Sequence, residues 1–330
     1  RATFLVAAIL MTWLLPACAP TNSLLFLCSN EESVCEQWRA DFEHDSGITT
    51  RFLRLPTSEA LARITSARGK PEFDVWVGGP SDSYVLASER GLLEPYRPVH
   101  FEDIPEAFKD ENAAWFGVYG SVLALCSNPE VLTENNLPHP TGWRDLEDPR
   151  FETWISAPSP LTSGTAFTAL WTQTQIFDEA EDHLEKVFSN VGRFTHSGTA
   201  PASVVASGEA AVAITFAPYC KQQFASNVNL DVVYPKEGTF YEVGAAGLLT
   251  GADSSSEGKK LLEWLSSTSG QGAMERAGIP QSPINANLPN NLEDFLSTTN
   301  VLVLDATPAD LAHDRDEWLR WATDYVEFSK

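Results

Sequence analysis

A chain of 330 residues with 43% hydrophobic and 20% charged side chains has the apolar content of a packed protein of about two domains, and too little polarity for disorder. Its 22 Lys and Arg against 45 Asp and Glu give a formal charge of −23, which repels phosphate backbones and excludes a general nucleic-acid binder. Beyond the first twenty residues no uncharged apolar run reaches the roughly 18 residues of a membrane span, so a polytopic membrane protein is excluded too.

Residues 1–19 read as an export signal. Arg1 precedes an apolar stretch from Thr3 to Leu15, Pro16 ends it, and small residues follow. Leu15-Pro16-Ala17-Cys18 resembles a bacterial lipobox, which would leave Cys18 as a lipidated first residue. Ala17-Cys18-Ala19 also fits ordinary cleavage after Ala19, and a retained anchor helix is a third reading. Export would put Cys28, Cys35, Cys126 and Cys220 in a disulfide-permissive compartment. Of three possible pairings, Cys28–Cys35 with Cys126–Cys220 is expected, because a strand end can reach the early turns of the next helix. Four buried thiols is the alternative.

Strand and helix patterns then alternate. Leu24 to Leu27 is a short apolar run of strand type. Ser29 or Asn30 can cap a helix whose Val34, Trp38 and Phe42 recur at spacing four, and Gly47 ends it. Phe52 to Leu55 reads as a strand, Ser58 to Arg68 as a helix and Phe73 to Val77 as a strand. The turn Gly78-Gly79-Pro80-Ser81 follows, then a helix towards Gly91. This βαβαβα order predicts a mostly parallel sheet with helices on both faces. The pattern resumes with strands at Trp154–Ala157, Phe194–Thr195 and Ala211–Phe216. Helices are expected after Thr165, after Pro201, across Leu261–Leu265 and across Glu317–Val326.

Three turns concentrate short donors: Gly78-Gly79-Pro80-Ser81, Ser163-Gly164-Thr165 and Ser197-Gly198-Thr199. Glycine admits a ligand to the backbone, Ser and Thr add hydroxyls, and a helix N-terminus carries about half a positive charge. One such turn is ordinary capping. Three at strand-to-helix junctions, where ligands of α/β sheets sit, point to anion capture. G-x-S-x-G, H-E-x-x-H, G-x-x-x-x-G-K-[ST] and G-x-G-x-x-G are all absent, so no catalytic residue, metal site or cofactor is expected. Of six scattered histidines, His196 beside Ser197 reads as a ligand donor or a surface residue. Asp178, Glu179, Glu181, Asp182 and Glu185 read as a solvated helix face.

Several phrases in order resemble the solute-binding components of bacterial ABC importers, in the branch of ferric-iron and sugar-phosphate binding proteins. They are Asp74-Val75-Trp76-Val77-Gly78-Gly79-Pro80, Gly91 to Tyr96, Gly142-Trp143-Arg144-Asp145-Leu146, Ser163-Gly164-Thr165, Ala206 to Val212 and Glu237 to Gly244. The resemblance implies an α/β, two-lobed type II periplasmic-binding-protein fold, each lobe a mixed, mostly parallel sheet flanked by helices, closing on ligand at a hinge. Lobe 1 would take residues 20–118 and 240–290, lobe 2 residues 119–238, and 291–330 would pack across them. Iron-binding members use adjacent tyrosines after the strand that here ends at Phe216. This chain has Pro218-Tyr219 there, a poor set for a hard ferric ion, and the His-Asp pair of sugar-phosphate binders is absent as well.

The expected function is therefore capture of a small phosphorylated or otherwise anionic solute for an inner-membrane ABC permease. The chain would be monomeric and would touch the membrane only through a lipid or signal anchor. Ser163, Gly164, Thr165, Ser197, Gly198, Gly78 and Gly79 would hold the anionic head, with Ser29 from the first turn; Tyr219 and Glu237 would face the rest of the ligand. A ligand-sensing partner of a membrane kinase, a ferric-iron binder and a secreted hydrolase are the alternatives.

Overall fold

Parallel pairing sets β1 (Leu24–Cys28) between β2 (Thr50–Arg54) and β3 (Val75–Pro80), the outcome of the alternation expected from the sequence. The structure is a computed structural model that describes residues 23–67 and 69–328, so the expected signal segment and Cys18 lie outside the described residues. Between β1 and β2 the helix Glu32–Ser46 buries Val34, Trp38 and Phe42. Gly47, at φ +69°, ends it and donates its N–H to the Glu43 carbonyl, as a left-handed cap does. Strand β3 corrects one expectation. It runs on through Gly78 and Gly79 to Pro80, which were expected as a turn, because an antiparallel neighbour pairs with it as far as Pro80.

That neighbour is β10 (Tyr241–Leu249), and with β5 (Phe116–Ser127) it forms the middle of the sheet. Every residue of β5 is buried. Its first part pairs with β10; its last five residues pair with β8 (Val212–Phe216), which lies beside β6 (Ile155–Pro158), itself paired with β7 (Val191–Thr195). The strand order is β2-β1-β3-β10-β5-β8-β6-β7, with β4 (Leu93–Glu94) on β10, and β9 (Asp231–Val233) and β11 (Ser282–Pro283) on β5. The sheet is thus mixed: parallel at both ends and antiparallel in the centre.

Disulfides join Cys28 to Cys35 and Cys126 to Cys220. Among the described residues no helix is long and apolar enough to cross a membrane. The long helix Pro308–Phe328 lies against both the helix Asp82–Glu89 and the helix Gly164–Ile176. Its Arg315 is buried, pairs with Asp82 at 2.6 Å and donates to Ser58 Oγ at 2.7 Å. The neighbouring Asp314 accepts the Trp171 indole N–H at 2.8 Å. Two adjacent residues of one helix therefore hold parts of the chain more than eighty residues apart.

Candidate functional site

The carboxyl ends of β1, β2, β3 and β6 and the turn after β7 converge on one small cavity. Its wall includes Ser29, Arg54, Gly79, Ser163, Thr165 and Ser197. Convergence at strand ends is where an α/β sheet places ligands, because helix N-termini and short polar turns collect there. The helix Gly164–Ile176 begins at this wall. Ser163 caps it by accepting the Ala166 N–H at 3.4 Å, while the N–H groups of Gly164 and Thr165 are in the first turn and have no intrahelical acceptor.

Opposing walls lie close together. A Cβ on Gly164 would come within 2.8 Å of Pro80 Cδ and 3.1 Å of Thr57 Cβ, and the Ser58 N–H already donates to the Thr162 carbonyl at 3.1 Å. Arg54 spans the gap as well, donating to Ser197 Oγ at 2.6 Å and to the Asn30 carbonyl at 3.0 Å. The void between the walls is about 20 Å³, room for one or two waters. A larger solute enters only when these walls part.

Charge in the wall is of both signs. Arg54 brings a guanidinium to the side where the helix N-terminus supplies its partial positive charge. Glu242, on β10, brings a carboxyl that is 3% exposed and whose Oε1 has no hydrogen-bond partner. Burial pushes this carboxyl up to about 8, opposed by the Ser121 hydroxyl beside it and reinforced by Asp82. Two phenols also face the cavity. Tyr119 accepts the Gly79 N–H at 2.9 Å, and Tyr219 donates to Asn30 Oδ1 at 3.3 Å. Burial, and after it the nearby Glu242, holds both well above the usual phenol range. Among the described residues no group of three or more His, Cys, Asp or Glu could hold a metal.

Of the residues singled out from the sequence, Ser29, Gly79, Ser163, Thr165, Ser197, Gly198 and Tyr219 line this cavity. Gly164 sits between two of them against Pro80. Gly78 lies one residue behind the wall, packed on the Ser29 backbone, with its carbonyl accepting the Tyr84 hydroxyl at 2.9 Å. Glu237 is elsewhere. Its carboxylate accepts the backbone N–H groups of Trp143 at 3.0 Å and Arg144 at 3.2 Å and fills the space over Gly142, so it holds a turn and is not part of the cavity. His196 is exposed and paired with Glu59 at 3.0 Å. Sequence reasoning passed over Arg54, Tyr119 and Glu242. Arg54 carried a signal, a cation at the carboxyl end of a strand in an α/β alternation, where ligands sit.

Residues 74–307 match the family of bacterial extracellular solute-binding proteins. An uncharacterised protein of Haemophilus influenzae is 33% identical over 256 residues, which cover 75% of this chain and 74% of that protein. A Salmonella typhimurium protein named as a putative 2-aminoethylphosphonate-binding periplasmic protein is 27% identical over 244 residues, 70% of this chain and 68% of its own length. Among solved structures, the periplasmic binding protein AfuA from Actinobacillus pleuropneumoniae, with exogenous fructose-6-phosphate bound, superposes with a TM-score of 0.85 at 29% identity. That match covers 92% of this chain and 98% of AfuA.

Proposed function

Because the chain belongs to the bacterial extracellular solute-binding proteins, we infer that it captures a small solute with a phosphate, phosphonate or similar anionic head between its two lobes. The fold is the two-lobed type II fold of periplasmic binding proteins, and the family is that of the solute-binding partners of ABC importers in the periplasm. The observation that carries the anionic reading is the start of the helix Gly164–Ile176. There, free backbone donors, the Thr165 hydroxyl and the Arg54 guanidinium meet in one cavity. Charge-assisted hydrogen bonds from such donors contribute about 1.5–3 kcal/mol each, against about 1 for neutral pairs.

In this reading the head group rests on Ser163, Gly164 and Thr165, with Ser197, Gly198 and Gly79 completing its shell and Ser29 and Tyr219 along the sides. The lobes are 20–118 with 240–290, and 119–238. The hinge runs through β5 and the approach to β10, where Leu123 and Phe240 pair by a 2.9 Å backbone bond. Opening there separates Gly79 and Pro80 from Gly164. The relatives name two suitable probes, fructose 6-phosphate and 2-aminoethylphosphonate, and inorganic phosphate is the head group alone.

A thermal-shift titration tests the reading, since a ligand at a hundred times its dissociation constant stabilises by about 2.7 kcal/mol. At least one of the three anions is expected to raise the melting temperature; no shift with any of them overturns the anionic head. For the anion that binds, Thr165→Val keeps the shape of the side chain and removes one donor. Affinity is expected to fall about ten- to a hundredfold, with the melting temperature of the empty protein almost unmoved. Lost stability with intact affinity would make the turn a plain helix cap.

A further inference from the structure

Glu242 is an acid without a cation. It is 3% exposed, Oε1 lacks a partner, and no ion pair reaches it among the described residues. The one guanidinium in the same wall, Arg54, donates to Ser197 and the Asn30 carbonyl and makes no ion pair with Glu242. Every other group facing Glu242 is neutral or acidic: Ser121 and Tyr119 from β5, Tyr219 from the helix Ala217–Gln223, and Asp82 from the helix Asp82–Glu89, itself paired with Arg315. A buried polar group left unpaired is costly and is retained where something else completes it.

We propose that Glu242 is the subsite for an ammonium group of the solute, which makes the ligand an amino-phosphate or amino-phosphonate rather than a plain anion. The inference rests on the anionic-head reading above and adds the second end of the molecule. Arg54 and the helix N-terminus take the head, and the unpaired carboxyl takes the amine. An ammonium is the countercharge that the cavity lacks. With it in place the carboxylate is the favoured form; without it, burial keeps the acid protonated at neutral pH. Binding of an amine-bearing ligand therefore releases a proton from Glu242, beyond any that the head group itself exchanges, and an amine-free anion lacks that additional release.

Calorimetric titration with 2-aminoethylphosphonate and ethylphosphonate, which differ by the amine alone, tests this. Wild-type protein is expected to bind the amino compound at least about tenfold more tightly, and, at a pH where both phosphonates are fully ionised, to release a proton with the amino compound alone, as judged from heats in two buffers of different ionisation enthalpy. Glu242→Gln is neutral and isosteric, like the protonated acid. It should bind ethylphosphonate as the wild type does and lose the preference for the amine. The proton-release measurement needs no variant, so it stands even if Glu242→Gln folds poorly. Binding of ethylphosphonate with no amine preference and no proton release overturns the subsite and leaves the anionic head intact. Binding of neither compound, nor of inorganic phosphate, overturns both.

Discussion

Arg315→Met will lower the stability of the empty protein by about 3–5 kcal/mol at neutral pH, the usual cost of removing one partner of a buried ion pair. Arg315 is 3% exposed and Asp82 is 1% exposed. Their 2.6 Å contact is the countercharge for a carboxylate whose other oxygen has no hydrogen bond. Burial pushes the Asp82 carboxyl up and Arg315 pulls it back. Without the guanidinium the folded-state value rises further above the unfolded one. The folded acid then binds a proton that the unfolded chain has released, so the variant loses stability as pH rises out of the ordinary carboxylate range. Below that range both states are protonated and the deficit shrinks. Denaturant titration at neutral and acidic pH will show this, and Asp82→Asn combined with Arg315→Met should recover most of the loss. A single variant as stable as the wild type at neutral pH would mean the pair holds nothing together.

Gly164→Val will cost at least about a hundredfold in affinity for the anion that binds, equivalent to two lost charge-assisted hydrogen bonds. The argument is steric and lies across the cavity. A Cβ at Gly164 alone meets Pro80 Cδ at 2.8 Å, closer than real side chains come, and Thr57 Cβ at a tight 3.1 Å, and the branches of valine add to this, so the walls cannot come together around the head group. The helix itself does not suffer, because Val is a better helix residue than Gly, and an opened molecule accommodates the side chain. The melting temperature of the empty variant should therefore change far less than its affinity. Small-angle scattering should give a larger radius with ligand present than the wild type shows. Gly164→Ala should fall between the two. Full affinity in the valine variant would locate closure at another surface.

The outer strands and their helices were readable because each apolar run is short and is followed by a turn and a helix with one apolar face. Trp38 and Phe42 are buried where spacing four put them, and Ser163 caps the helix it precedes. The centre of the sheet was not readable. β5 and β10 are buried on both faces, so they show no alternation of polar and apolar residues. Gly117, Gly120, Gly244 and Gly247 interrupt them as breakers would. The same lack of alternation hides Glu242, which stands two residues before Gly244. Glu237, five residues earlier, was chosen in its place and turned out to serve Trp143 and Arg144. Hydroxyls and glycines in turns carry their meaning locally. A lone acid in a strand acquires its meaning only from what the fold sets around it.

Each disulfide ends one residue from the wall of the cavity: Cys28 precedes Ser29, and Cys220 follows Tyr219. The cross-links therefore brace the two segments that carry these hydroxyls as well as the hydrophobic core. A chain still reduced, as every newly made chain is before export, holds Ser29 and Tyr219 on unbraced backbone. Oxidation of the four thiols therefore fixes the backbone on which both hydroxyls are carried.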